Sequence, residues 1–140
     1  LVEVCNYLVD PRNSKYANSF FQMFCPIKPM LAGRMNLNDI IKHFHSVPVY
    51  VETKYDGERI QCHLKDKQCK FFNRNAVDYT YLYGPKLESI IAKSVIAKSA
   101  ILDGEVCVWD KANNTFAPFG ENKPTANSEE TEKQLVCILN

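Results

Sequence analysis

The sequence lacks several features that would assign its class directly. Its 17 basic and 16 acidic residues leave a formal net charge of only +1, so no overall attraction to a polyanion is expected and any basic surface must be local. No apolar run approaches the roughly 20 residues of a membrane-spanning helix, and no basic-then-apolar signal segment is present. Nothing in the pattern therefore indicates secretion or a membrane span.

The six cysteines do not form a zinc-binding pattern. None belongs to a C-x-x-C pair, and none stands at ligand spacing from the three histidines. Several lie inside apolar runs, as Cys107 does between Val106 and Val108, which is typical of buried free thiols in a reducing compartment. We therefore expect a nuclear or cytosolic protein without a zinc site.

The length suffices for one domain with a core, since 46% of the 140 residues are hydrophobic and 11% are aromatic. The chain begins without methionine and ends in the apolar run 135–139, which we interpret as a strand interrupted as it forms. We expect a segment of a longer protein. A short helical pattern at 1–9 stops before Pro11, and a linker with the aromatic residues Phe20, Phe21 and Phe24 follows it.

Hydrophobic periodicity predicts two further helices and five strands. The helices are placed at 37–44, with Asn36 as N-cap, and from Pro85 to Val95. The strands are placed at 49–53, 59–64, 69–73, 101–109 and 135–139. Residues 120–134 hold almost no apolar side chains and are predicted to form a mobile loop. Strands joined in hairpins, with two helices among them, indicate an α+β domain built on an antiparallel sheet.

The hexapeptide KYDGER, from Lys54 to Arg59, is predicted to lie between two strands, so that the Lys54 amine is exposed at a strand end. A K-x-D-G tetrapeptide alone is weak evidence, because Asp-Gly is a common hairpin turn. The motifs that accompany it are more specific: the strings "ETKYDGER", "FFNRN" and "ILDGEV" follow one another in that order.

In order and spacing, these strings resemble the first three motifs of ATP-dependent DNA ligases, and the flanking residues are most similar to the end-joining members of that family. Asn73 departs from the pattern, since a serine is more usual there. The resemblance implies an antiparallel-sheet nucleotidyltransferase, or adenylation, domain of the ATP-grasp-like DNA ligase type. It places the end of a helical DNA-binding domain and a linker at 1–29, and the incomplete N-terminal part of the adenylation domain at 30–140.

The resemblance also implies residue roles. Lys54 is the nucleophile that becomes adenylylated by ATP, and Glu52 and Thr53 contact adenine. Arg59 and Arg74 contact ribose and phosphate, for which a bidentate guanidinium is suited. Glu105 binds ribose and helps to hold Mg²⁺, which prefers carboxylate oxygen and water.

Two acidic residues near these positions have weaker assignments. Asp103 shares a strand face with Glu105 by the two-residue period, so it either belongs to the same region or only begins the strand. Asp56 is better suited to fixing the turn. Arg74 has a structural alternative as well, as the solvated end of a strand.

A lysine amine attacks phosphorus only when it is unprotonated, and a nearby guanidinium or divalent cation disfavours the ammonium form. The predicted function is ATP-dependent joining of nicked or broken double-stranded DNA in non-homologous end joining, in the nucleus, with an end-joining scaffold protein as partner through a region outside this chain. The family's later motifs would follow Asn140, so we expect the chain by itself not to seal a nick. An RNA ligase, a GTP-using capping enzyme and a non-catalytic repair-interaction module are the alternatives.

Overall fold

A computed structural model describes residues 22–139 of the chain, so the predicted helix at 1–9 and the aromatic residues Phe20 and Phe21 lie outside the described part. The helices are α1 (Leu37–Phe44), α2 (Thr80–Ser94) and α3 (Asn122–Asn127). The strands are β1 (Glu58–Lys65), β2 (Gln68–Asn73), β3 (Ser99–Asp110), β4 (Thr115–Phe116) and β5 (Lys133–Leu139). Within residues 22–139, no helix combines the length and apolar character that crossing a bilayer requires.

The five strands form one antiparallel sheet in which β3 is central. β2 pairs with β1, and β1 pairs with the first part of β3. The second part of β3 pairs with both β4 and β5. Because Asp110 pairs with Thr115 of β4 and with Lys133 of β5, these two strands lie on opposite sides of β3. The antiparallel α+β prediction is confirmed.

The core lies between one face of the sheet and α2. Alternate residues of β1, which are Ile60, Cys62 and Leu64, point to this face, where they are at most 2% exposed. They pack in one cluster with residues from α2 and from the other strands, among them Phe71, Leu82, Tyr83, Leu87, Ile91, Val106, Val108 and Leu135. The intervening residues of β1, Arg59, Gln61 and His63, point to the opposite face of the sheet.

The hairpin of β1 and β2 follows the predicted pattern closely. Its two-residue turn, Asp66 and Lys67, has positive φ angles of 49° and 69°, the backbone of a turn whose twist matches the flanking strands. The buried thiols are also as expected, since Cys62, Cys69 and Cys107 are buried free cysteines. Local patterning was therefore sufficient for this part of the chain.

The segment that precedes the hairpin differs from the prediction. Helix α1 is present, and the Asn36 side chain accepts a hydrogen bond from the Asp39 amide at 3.0 Å, as an N-cap should. None of its residues is buried, however. The strand predicted at 49–53 is wrong: these residues have no regular secondary structure and pair with no strand of the described part, and Tyr50 and Val51 are more than 90% exposed.

Helix α2 starts five residues earlier than predicted, so Pro85 lies inside it and not in its first turn. The Asp78 side chain accepts the Thr80 amide at 2.8 Å and satisfies a free donor at the helix start. Leu82 and Leu87, on either side of the proline, are buried on the sheet. Because these two leucines pack on the sheet, the helix continues across Pro85, although the proline removes one of its backbone hydrogen bonds.

The loop predicted at 120–134 was also wrong in part, because it contains α3 and the start of β5. Polar contacts anchor α3: buried Asn122 donates from Nδ2 to the Val106 carbonyl at 2.5 Å. Lys86 of α2 donates from Nζ to the carbonyls of Thr125 and Ser128 at 2.6 and 2.5 Å. Hydrogen bonds therefore fix this segment, and Ala126 adds a small apolar contact with the core.

Candidate active site

Lys54 lies in the irregular segment before β1, and its side chain is exposed. Two contacts on its C-terminal side fix this segment. The Tyr55 ring meets the Phe116 ring edge-on at a centroid distance of 5.5 Å, and Phe116 in turn meets Trp109 at 5.0 Å. Such pairs stabilise beyond their buried area. The lysine is thus presented next to an aromatic anchor, and not at the end of a strand as predicted.

Gly57 forms the second contact, and its lack of a side chain is required there. A Cβ at this position would lie 2.2 Å from the Val106 carbonyl oxygen and 2.7 Å from Cys107 Sγ. The glycine therefore allows the turn before β1 to lie directly on β3. In this position the Gly57 amide donates to Glu105 Oε1 at 3.2 Å.

Glu105 lies on β3, directly opposite Arg59 of β1. Burial raises the pKa of Glu105 above its ordinary value, and the Asp56 carboxylate adds to this. The Gly57 amide, Lys54 and Arg59 act against that shift because each stabilises the charged form. Glu105 is thus a partly desolvated carboxylate close to the lysine and the arginine that the motifs predicted.

Two adjoining clefts meet at Glu105. One, of about 420 Å³, is lined by Glu52, Thr53, Lys54, Tyr55 and Glu105. The other, of about 450 Å³, is lined by Gly57, Glu58, Arg59, Arg74, Glu105, Phe119, Gly120, Asn122 and Lys123. Both volumes are in the range of small-molecule sites. Every residue that the sequence predicted for the site lines one of them, and Glu105 lines both.

The Arg59 guanidinium already has partners within the protein. It donates from Nε to Asp103 Oδ1 at 3.0 Å and from NH2 to Asp103 Oδ2 at 2.5 Å. Its NH1 donates to the Met30 carbonyl at 2.9 Å. The hydrogen bonds that Arg59 donates to Asp103 raise the pKa of Arg59 above its ordinary value. Asp103 thus lies in the same region as Glu105, as the two-residue period suggested, and it orients Arg59.

The side chains of Glu52, Thr53 and Arg74 are exposed, and within the described residues none of them forms an ion pair. Asp56 is exposed beside Glu105, and no hydrogen bond of its side chain within residues 22–139 supports the predicted role in fixing the turn. That role is filled by the close approach of Gly57 to β3. The exposed side chains leave the mouths of both clefts open to a ligand.

The described residues hold no cluster of three or more His, Cys, Asp or Glu side chains that could bind a metal on its own. Glu105 supplies one carboxylate at the junction of the clefts. A single carboxylate fits Mg²⁺, which is commonly bound by one or two carboxylates together with water and substrate phosphates. The donor set is therefore suited to a metal that arrives with a nucleotide.

The sequence pattern missed several contributors to the site. Met30 supplies its carbonyl oxygen to Arg59, and Phe119 and Lys123 line the larger cleft from the segment around α3. A main-chain contact has no side-chain signature. The segment around α3 was predicted to be mobile because it is polar, so no periodicity could place it beside the motifs.

With this geometry established, comparison with known proteins identifies the family. The profile described as ATP dependent DNA ligase domain matches residues 29–139. The chain belongs to this family. The resemblance inferred from the three motifs is thereby confirmed, and the exposed lysine, the β3 glutamate and the two arginines all lie in the matched range.

Several curated relatives of this ATP-dependent DNA ligase domain are named DNA ligase 4. DNA ligase 4 of Dictyostelium discoideum is 41% identical over 109 residues, covering 75% of this chain and 10% of that protein. DNA ligase 4 of Arabidopsis thaliana is 33% identical, covering 96% of the chain and 11% of that protein. DNA ligase 4 of Gallus gallus is 33% identical, covering 99% and 16% respectively. The chain thus spans only a small part of the length of these relatives.

Proposed function

We propose that the complete protein is an ATP-dependent DNA ligase in which Lys54 is the adenylylated residue. The observation that carries this proposal is the position of an exposed lysine and a partly desolvated glutamate on one cleft, in a chain of the ATP-dependent DNA ligase family. By the same reasoning we propose that the mixed antiparallel fold is that of a nucleotidyltransferase.

In the proposed first step, the unprotonated Lys54 amine attacks the α-phosphorus of ATP. A nitrogen–phosphorus bond forms as the bond to the pyrophosphate oxygen breaks, and pyrophosphate leaves. The AMP group then passes to a 5′-phosphate of DNA, and a 3′-hydroxyl displaces AMP to form the phosphodiester. Each step is an in-line displacement, for which positioning and charge stabilisation supply most of the catalysis.

The remaining residues have proposed binding roles. Glu52 and Thr53, on the lysine side of the junction, contact adenine, while Arg59 and Arg74, in the larger cleft, contact ribose and phosphate. Glu105 would bind the ribose and help to hold Mg²⁺. When bound, the metal would neutralise charge on the phosphate oxygens.

We further propose that this ligase acts in non-homologous end joining in the nucleus, because the curated relatives are named DNA ligase 4. Broken or nicked double-stranded DNA is then the substrate, and an end-joining scaffold protein binds a region outside this chain. Residues 30–140 are the N-terminal part of the adenylation domain, and residues 1–29 are the end of a DNA-binding domain with its linker.

The test is covalent labelling of the complete protein. Incubation with Mg²⁺ and α-labelled ATP should give a labelled protein whose modified peptide contains Lys54, whereas α-labelled GTP should give none. Lys54→Arg should abolish the label, because a guanidinium stays protonated at any usable pH. A label on Lys65, Lys67 or Lys70, or labelling by GTP in place of ATP, would refute the assignment.

A further inference from the structure

The outer face of the sheet is crossed by residues 24–30, here called the crossing segment. It runs antiparallel to β1 and contacts three outward-facing side chains of that strand in turn. The Phe24 amide donates to His63 Nδ1 at 2.9 Å. The Ile27 amide donates to Gln61 Oε1 at 2.8 Å. The Met30 carbonyl accepts from Arg59 NH1 at 2.9 Å.

These contacts fix the tautomer of His63. Because Nδ1 accepts the Phe24 amide, the ring proton must be on Nε2, which donates to Gln61 Oε1 at 2.7 Å. Gln61 also donates from Nε2 to the Ile27 carbonyl at 3.3 Å. His63 is 0% exposed, and the described residues contain no buried side-chain polar atom without a partner. The network is complete, so the loss of one member leaves a buried group unsatisfied.

The backbone conformation of Phe24 indicates that its contact with His63 is specific. Its φ angle is +67°, a region that a bulky residue adopts only when its surroundings require it. The Lys70 ammonium lies 5.5 Å from the centre of its ring. The register of the crossing segment is therefore held at its first contact, and Met30 is six residues further on, at the cleft.

We propose that Gln61 and His63 are positioning residues: they fix the crossing segment on β1 so that the Met30 carbonyl holds Arg59 in the larger cleft. This inference rests on the proposed function for its catalytic consequence. Asp103 orients two of the guanidinium nitrogens from the sheet, and the crossing segment orients the third from outside it. Loss of either partner leaves the guanidinium held from one side only, so Arg59 gains freedom to move out of the cleft.

Protonation of His63 would break the first contact, because imidazolium has no acceptor nitrogen. Burial lowers the pKa of His63 below its ordinary 6.5, so the contact persists through neutral pH and is lost as pH falls through the folded-state value. The charged groups around the ring are few. Lys70 faces it from β2, Asp103 on β3 is paired with Arg59, and Lys28 of the crossing segment is exposed.

The test uses two matched amide variants of the complete protein. His63→Asn places an oxygen where Nδ1 was and keeps an acceptor for the Phe24 amide without titrating. His63→Gln places its amide near Nε2 and removes that acceptor. Lys65→Ala, on the same strand but outside the network, is the control. Hydrogen exchange of the peptide containing Phe24 and Ile27 and the initial rate of lysine adenylylation against ATP concentration are measured from pH 5 to 8.

We expect His63→Gln to lose amide protection and to adenylylate at least about tenfold more slowly, since small misplacements of a binding group are costly. His63→Asn should retain both, without the acid-dependent loss of protection of the natural protein. Lys65→Ala should match the natural protein.

Three results would overturn the inference. Unchanged protection in His63→Gln would mean that the contact does not hold the segment. Lost protection with an unchanged rate and KM would mean that the segment does not position Arg59. Equal impairment of the two amide variants would mean that His63 acts only in folding. If the natural protein is not adenylylated at all, the proposed function fails and the catalytic consequence fails with it, while the exchange measurement still decides whether His63 holds the segment.

Discussion

Replacement of Gly57 by alanine tests whether the close approach of the lysine segment to β3 determines the geometry of the site. The added Cβ would lie 2.2 Å from the Val106 carbonyl oxygen and 2.7 Å from Cys107 Sγ. An ordinary carbon–oxygen contact is about 3.3 Å, so the backbone at residue 57 must retreat by about 1 Å. The Val106 carbonyl belongs to β3, which is paired on both sides at this residue, so it cannot move away.

Two consequences follow from this retreat. The hydrogen bond from the Gly57 amide to Glu105, already 3.2 Å long, would become too long to be effective. Overpacking of this kind also lowers the free energy of unfolding by about 1–3 kcal/mol. The larger effect is on function. Lys54 is only three residues away, and a displacement of about 1 Å in a reacting group can reduce the rate about a hundredfold.

The assay compares Gly57→Ala with Gly33→Ala in the complete protein. Gly33 is a matched control because a Cβ there would meet nothing within 4 Å. We expect Gly57→Ala to lower the adenylylation rate at saturating ATP about a hundredfold and the melting temperature by several degrees, and Gly33→Ala to change neither appreciably. An unchanged rate in Gly57→Ala would show that the contact with β3 does not set the position of the lysine.

Three further predictions concern the groups around the clefts. Because burial raises the pKa of Glu105, its carboxylate should gain a proton above the ordinary value of 4.5. The fall of the adenylylation rate with acidity, which protonation of the lysine amine causes in any case, should therefore become steeper from a pH above that value. Glu105→Gln should be about a hundredfold slower and lose this additional steepness. Phe116→Ala should destabilise the domain by about 1–2 kcal/mol in urea unfolding and expose the Tyr55 ring to quenchers; unchanged quenching would refute the aromatic anchor. Tyr83→Phe should cost about 0.5–1.5 kcal/mol, because it removes the 2.6 Å hydrogen bond to Glu58, and an unaltered denaturation midpoint would contradict this.

Sequence reasoning succeeded where a single element carries its own pattern. The β1–β2 hairpin alternates apolar and polar residues around a two-residue turn, and α1 has its own cap at Asn36. It failed where long-range packing decides. Proline is locally favoured at the start of a helix, so the helix was predicted to begin at Pro85. Burial of Leu82 and Leu87 instead stabilises a helix that begins five residues earlier, at Thr80.

The candidate site was predictable as a set of residues and not as an arrangement. The motifs named Lys54, Arg59 and Glu105, and all three line the clefts. Their relation depends on the pairing of β1 with β3, strands separated by more than thirty residues, and periodicity cannot specify that register. The polar contacts of Asn122 and of the crossing segment produce no hydrophobic pattern in the sequence, so they could not be predicted either.

The two sides of the cleft differ in how firmly their backbones are held. Glu105 belongs to a strand that is paired on both sides, with Arg59 of β1 and Ile138 of β5 as its neighbours. Residues 52–54 have no ladder within the described part of the chain. If the cleft binds a nucleotide as proposed, the ligand meets one preorganised wall and one whose backbone it has to order, at an entropic cost of up to about 1–2 kcal/mol for each residue fixed. Rigidifying the lysine side should tighten nucleotide binding without adding a single new contact.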